Sequence, residues 1–294
     1  MGMLAGTRTG LVDVASGAVV AYAGRDVSAM DGDWVVLDGR EVHDRAGAAP
    51  AALVMPPDGD RVLCVAGRPD GTAWAGTAGA HIFRAGRSVS RVESFDSVDG
   101  RNDWYTPWGG PPDVRSMAVS SDGTALANVH VGGIVRSTDD GASWHPTIDI
   151  HADVHQVLAV PGGRALAACA VGLATSDDDG ATWSLHDDGL HATYARSVAL
   201  AGDTVLLGVS AGPGGGGAVV YRRPLGEEVP FERCRFGLPD DLGGNIDTAW
   251  LVGAPDGTAA FVTAAGDVFD SDDEGVTWER AAAGLAGVRA LDLG

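Results

Sequence analysis

The 294-residue chain predicts an all-β fold, a seven-bladed β-propeller in one domain spanning 1–294, with its first blade closed by the N- and C-terminal strands. Three observations carry this. The pattern Ser-x-Asp-x-Gly-x-Ser/Thr-Trp occurs at Ser137–Trp144, Ser176–Trp183 and Ser271–Trp278, and three copies of one octapeptide make a repeat. Strand openings of one kind recur near Val27, Val62, Val114, Val154, Ala195, Ile246 and Val288, a mean spacing of about 42 residues that suits a four-stranded blade. The two ends complement each other: Val288–Leu293 resembles a repeat opening with nothing after it, and Met3–Gly17 resembles the middle of a repeat that lacks its opening. Such closure removes a free sheet edge.

The elements follow in order. The first blade joins 288–294 to 1–24, and the others run over 25–58, 59–112, 113–152, 153–193, 194–244 and 245–287. The blade at 25–58 is short and lacks the octapeptide. Asp70-Gly71, Asp122-Gly123 and Asp256-Gly257 follow an opening strand and read as hairpin turns. In each octapeptide the Asp bonds backbone N–H groups of a tight turn, Gly supplies positive φ, and the Trp packs beside it. Short Val/Ala-rich runs and 44 glycines agree with many strands and turns, and no helix of consequence is expected. Three stretches exceed what the blades need: 96–113, with Trp104, Tyr105 and Trp108; 211–217; and 223–244. Long loops in a compact repeat tend to carry function, and all three are expected on one face.

The octapeptides resemble the Asp box, or BNR repeat, of sialidases, sortilin ectodomains and photosystem II assembly factors, which are β-propellers. The resemblance covers the boxes and the blade pattern. It implies that these turns lie opposite the active face. Their eight carboxylates suggest calcium, but the spacing does not match an EF-hand loop, and a structural role is expected. A sialidase further requires an arginine triad on the substrate carboxylate, a Tyr nucleophile with a Glu partner and an Asp acid/base, introduced by an Arg-Ile-Pro segment. That segment is missing. Arg115, Arg196 and Arg289 imitate the triad and Tyr194 the nucleophile, with no motif fixing them in those roles.

The formal net charge of −20 argues against nucleic-acid and anionic-membrane partners, because a phosphate-binding surface needs a basic stripe. With no 18-residue apolar run and no basic-then-apolar leader, the expected location is cytoplasmic. Cys64, Cys169 and Cys234 lack metal spacing and, being odd in number, a disulfide framework; they read as inert thiols.

Residues at the start of the opening strands converge at a propeller's channel mouth: Arg61, Arg115, His155, Arg196, Asp247 and Arg289. Arginine offers a fixed fork to a carboxylate or phosphate, so an anion is one reading; pairing with Asp60, Asp113 or Asp247 is the other. His81 and His130 fall in turns between second and third strands. His130, His155 and Asp153 read as a general base with its orienting carboxylate, or as ligands of a divalent metal, although the sequence requires no cofactor. Tyr194 and Arg196 share a strand, as do Asn245 and Asp247; Trp104, Tyr105 and Trp108 close over them from the long insertion, or Trp104 and Trp108 anchor that loop to the propeller. The catalytic candidates are thus His130, His155, Tyr194 and Asp247, and the ligand-binding ones Arg115, Arg196, Arg289, Trp104, Tyr105 and Asn245. The expected function is binding of a small anionic or glycosidic ligand at the mouth, with hydrolysis or elimination as the reaction. The alternative is a non-catalytic interaction scaffold.

Overall fold

A computed structural model describes residues 2–47, 53–54 and 60–294. Among the described residues there are seven four-stranded antiparallel sheets, the blades of a seven-bladed β-propeller. In the first blade Val288–Asp292 pairs with Leu4–Thr7, followed by Gly10–Asp13 and Val19–Ala21, so the two ends of the chain share a sheet as expected. The remaining blades open with Val27–Asp31, Val62–Gly67, Val114–Val119, Val154–Val160, Tyr194–Ala201 and Leu251–Gly253. Part of the expected blade 25–58 lies outside the described residues. Helical structure amounts, among the described residues, to three short 3-10 turns, Glu93–Ser97, Arg101–Asp103 and Ile150–Ala152.

The described chain forms two compact units, one of 2–25, 168–174 and 185–294, the other of 26–47, 53–54, 60–167 and 175–184; the fifth sheet contributes to both. In the second unit the opening strands of blades two to five pack successively against one another. One core there gathers Trp74, Phe95, Trp104, Val114 and Trp144, and another Trp34, Val36, Val62 and Phe83. In the first unit, Leu206, Ile246, Phe261, Phe269 and Trp278 form one core, and Ala5, Val262, Val288 and Leu291 form another. The last of these seats the C-terminal strand on blade seven.

The three Trp-ending turns have one construction. Ser137 Oγ donates to Asp139 Oδ1 (2.9 Å), while Asp139 accepts from Ser143 N (2.9 Å) and Ser143 Oγ (2.5 Å). The same bonds recur at Asp178 with Ser176 and Thr182, and at Asp273 with Ser271 and Thr277. In each, the residue before the glycine also has positive φ: Asp140 (60°), Asp179 (56°) and Glu274 (58°). The side-chain bonds hold a conformation that a non-glycine residue seldom adopts. These carboxyls titrate low for the same reason: hydrogen bonds from Ser143 and Thr182 hold Asp139 and Asp178 at about 2.

Two expectations shift. The sixth opening near Ile246 becomes a strand only at Leu251. Ala249 takes φ 63° and Trp250 N bonds Asp247 O, so 247–250 is a turn, while Ile246 is already buried. The stretch 223–244 is not one insertion on one face, because it contains the end of Val219–Pro224 and the strand Glu232–Arg233. Its later part meets the 211–217 loop through Gly216 N to Gly243 O (3.1 Å). Its early part bonds instead toward the hairpin at the other end, through Leu225 N to Asp203 O (2.7 Å).

Candidate functional site

The pairing of first and second strands slips at one place in several blades. Among the described residues the skipped positions are Ser28, Leu63, Arg115, Arg196 and Arg289, each the second residue of an opening strand except Arg196, the third of Tyr194–Ala201. A β-bulge takes one residue out of the ladder and re-aims its side chain. Three of the four arginines expected at the mouth, Arg115, Arg196 and Arg289, are therefore equivalent bulge residues, a relation that the sequence spacing hinted at without explaining.

In the second unit the bulge at Arg115 faces the turn after Ala125–Val129. His130 N bonds Asp113 O (2.9 Å), which fixes the turn beside the start of the strand. Arg115 Nη1 lies 3.4 Å from His130 Nδ1. Guanidinium only donates, so in this arrangement Nδ1 accepts and the neutral ring carries its proton on Nε2. That Nε2 is 3.6 Å from Asp153 Oδ1, and His155 Nε2 is 3.7 Å from Asp153 Oδ2. The two imidazoles stand edge to face with centroids 6.0 Å apart. His155 is fully buried and His130 is 4% exposed. Asp153 has φ 47° where it ends the turn Ile150–Ala152, and its backbone N bonds Ile150 O.

Trp108 sets its ring 4.8 Å from His130, edge to face, and remains 66% exposed. Trp104, expected at the rim, is 6% exposed and belongs to the core instead: it packs on Phe95 (5.7 Å) beneath the Arg101 guanidinium (5.1 Å). It anchors the loop that presents Tyr105 and Trp108. Asp113 is half-buried; desolvation pushes its carboxyl above the ordinary range, Arg115 opposes that, and Asp60 adds to it. Beyond Asp60 a chain of polar contacts continues through His81 (3.6 Å) and Asp96 (2.8 Å) to Arg91 (2.8 Å). His81 is thus held by acids and arginines.

The other candidates lie in the first unit. Arg196 pairs with Asp247 at 3.2 Å. Asn245 bonds Ser210 and Pro213 O (3.2 Å), tying down the glycine-rich 211–217 loop. Tyr194 begins its strand, half-buried, and Arg289 occupies the bulge of the C-terminal strand. The structure thus brings Arg115, His130, Asp153 and His155 together under Trp108, and separately gathers Arg196 with Asp247. Asp113 and Trp108 complete the first group; the sequence pointed to Asp113 only as an ion-pair partner, and to Trp108 as closing over Tyr194, Arg196, Asn245 and Asp247 or anchoring its loop rather than roofing His130.

No protein-family model matches the chain, and no curated protein matches its sequence. Solved structures do. YCF48 bound to D1 peptide is 18% identical with a TM-score of 0.56, over 84% of this chain and 77% of that one. Virginiamycin B lyase from Staphylococcus aureus is 13% identical with a TM-score of 0.60, over 84% and 79%. An ancestral GH74 enzyme is 14% identical with a TM-score of 0.59, over 85% of this chain and 37% of its own. At such identities the likeness reaches the backbone and not the chemistry: the chain is a seven-bladed β-propeller similar to a peptide-binding protein, a lyase and a glycoside hydrolase.

Proposed function

We propose that the protein binds a small carboxylated ligand beside Arg115 and acts on it by elimination or hydrolysis. The observation that carries this is the convergence on Arg115 of a half-buried carboxyl titrating high, Asp113, and an imidazole, His130, roofed by the exposed Trp108. Arg115 supplies charge-assisted bonds to the ligand carboxylate in place of its contact with His130. Trp108 offers a face for an apolar or sugar moiety. Asp113, its carboxyl pushed up by burial against the pull of Arg115 and further by Asp60, is suited to give or take a proton during cleavage. The reading agrees with the Asp-box resemblance, which sets the Trp-ending turns away from the reacting face, and with the lyase and glycosidase likenesses. Arg196, Asp247, Tyr194, Asn245 and Arg289 form a secondary group of candidates, with Asp247 and Tyr194 as its proton-transfer groups. The expected setting is cytoplasmic, without nucleic acid or membrane.

A thermal-shift screen of small carboxylates and glycosides tests this. Binding at a hundredfold excess over Kd stabilises by about 2.7 kcal/mol. Arg115→Ala should abolish the shift for any carboxylate hit, Asp113→Asn should keep it while removing turnover, and Arg196→Ala should leave it. A hit that ignores Arg115→Ala refutes the site. The second reading is a non-catalytic peptide-binding platform, favoured by the exposed Tyr105 and Trp108 and by the YCF48 likeness; peptides that bind through Trp108 with no carboxylate hit would establish it.

A further inference from the structure

We infer that His130, Asp153 and His155 form a three-ligand site for a first-row divalent transition metal ion, with Zn²⁺ as its test ion. Their donor atoms all lie within 4.8 Å of one another. The separations are informative. Imidazole and carboxylate at 3.6 and 3.7 Å are too far apart for a hydrogen bond, which needs about 2.7–3.2 Å. With metal–donor bonds of about 2.0–2.1 Å, a tetrahedron has an edge of about 3.3–3.4 Å. Asp153 turns Oδ1 toward His130 and Oδ2 toward His155, so one carboxylate faces both rings, and donor separations of up to 4.8 Å must close by up to about 1.4 Å around an ion.

The donors are held in place beforehand. His155 is buried in a strand, His130 sits in a turn bonded to Asp113, and Asp153 is fixed by the 3-10 turn before it. Two imidazoles with one carboxylate select a transition metal ion over calcium or magnesium, which prefer oxygen. Three protein ligands leave a coordination position for water or a ligand carboxylate. Arg115 works against the ion: for His130 Nε2 to coordinate, its proton must move to Nδ1, and Arg115 must give up that contact. The site is thus tuned to moderate affinity, and removing Arg115 should strengthen it.

The inference goes beyond the small-ligand reading and is tested without any carboxylate, so either can fail alone. Chelator-treated protein is titrated with Zn²⁺ by calorimetry, with thermal melting in parallel. The expected result is one ion per chain and a rise in Tm of about 5 °C at a hundredfold excess over Kd. Asp153→Asn and His130→Gln should each weaken binding at least about tenfold, His81→Ala should not, and Arg115→Met should tighten it. Cu²⁺ should quench the fluorescence contributed by Trp108, measured as the difference from Trp108→Phe. Should His155→Ala fail to fold, the Asp153→Asn and His130→Gln variants decide. Absence of stoichiometric binding, or binding indifferent to both, overturns the inference.

Discussion

Asp178→Ala probes the construction on which the repeat rests. The wild-type carboxylate accepts from Ser176 Oγ (2.8 Å), Thr182 N (2.8 Å) and Thr182 Oγ1 (2.7 Å). A net hydrogen bond contributes about 0.5–1.5 kcal/mol. This turn is solvent-accessible, so water replaces part of what is lost, and the expected cost is about 1–2 kcal/mol rather than the full sum. In a chain of this size that lowers Tm by about 2–4 °C, readable by calorimetry or circular dichroism. The pH dependence sharpens the test. Asp178 is held at about 2 in the folded protein, chiefly by the Thr182 hydroxyl and then by its backbone N–H, against an ordinary value of 3.8. A depressed carboxyl stabilises fully above its unfolded pKa, and that stabilisation fades as pH falls toward the folded one. The gap between wild type and Asp178→Ala should therefore be constant from pH 7 to about 5 and close between about 4 and 2. A gap that persists at pH 2, or no gap at pH 7, refutes the hydrogen-bond account. Asp139→Ala should behave alike, since its turn has the same bonds.

Two further expectations rest on the cores. Deleting 288–294 removes buried Val288, Ala290 and Leu291 and bares the edge of Leu4–Thr7; at about 1.5–3 kcal/mol for each large apolar side chain, against a total of about 5–15, the outcome should be aggregation or loss of cooperative melting. A truncated chain that melts like the parent contradicts it. Cys64 and Cys234, pushed up to about 12 by burial, should resist a thiol reagent at pH 8 until denaturant is added; rapid labelling of the native protein would show that these thiols are accessible.

The fold was legible because its signals are local. A Ser-x-Asp-x-Gly-x-Thr-Trp turn is completed by bonds within eight residues, so Ser176 and Thr182 announce it without help from the rest of the chain. Six of the seven expected openings lie in the observed opening strands; the remaining one, the sixth, at Ile246, shares their apolar character but is followed by a left-handed residue, Ala249, whose conformation no local preference signals. The site was legible in part. His130, His155 and Asp153 could be connected through the blade repeat. Whether Trp104 or Trp108 reached solvent could not, because Phe95 and Arg101 decide it through packing. Nor did sequence reveal the titration of Asp113, which is raised chiefly by its burial, opposed by Arg115 and raised further by Asp60 in the preceding blade.

The bulge near the start of the opening strands separates two kinds of selection. Because that residue makes no ladder pairing, its identity is free of the demands that hold the sheet together, and serine, leucine and arginine all occupy it here. A propeller of this kind can exchange the chemistry it presents one blade at a time, at positions where a substitution changes recognition before it changes folding. Variation among Ser28, Leu63, Arg115, Arg196 and Arg289 is then the natural library from which a new specificity in this scaffold would be selected.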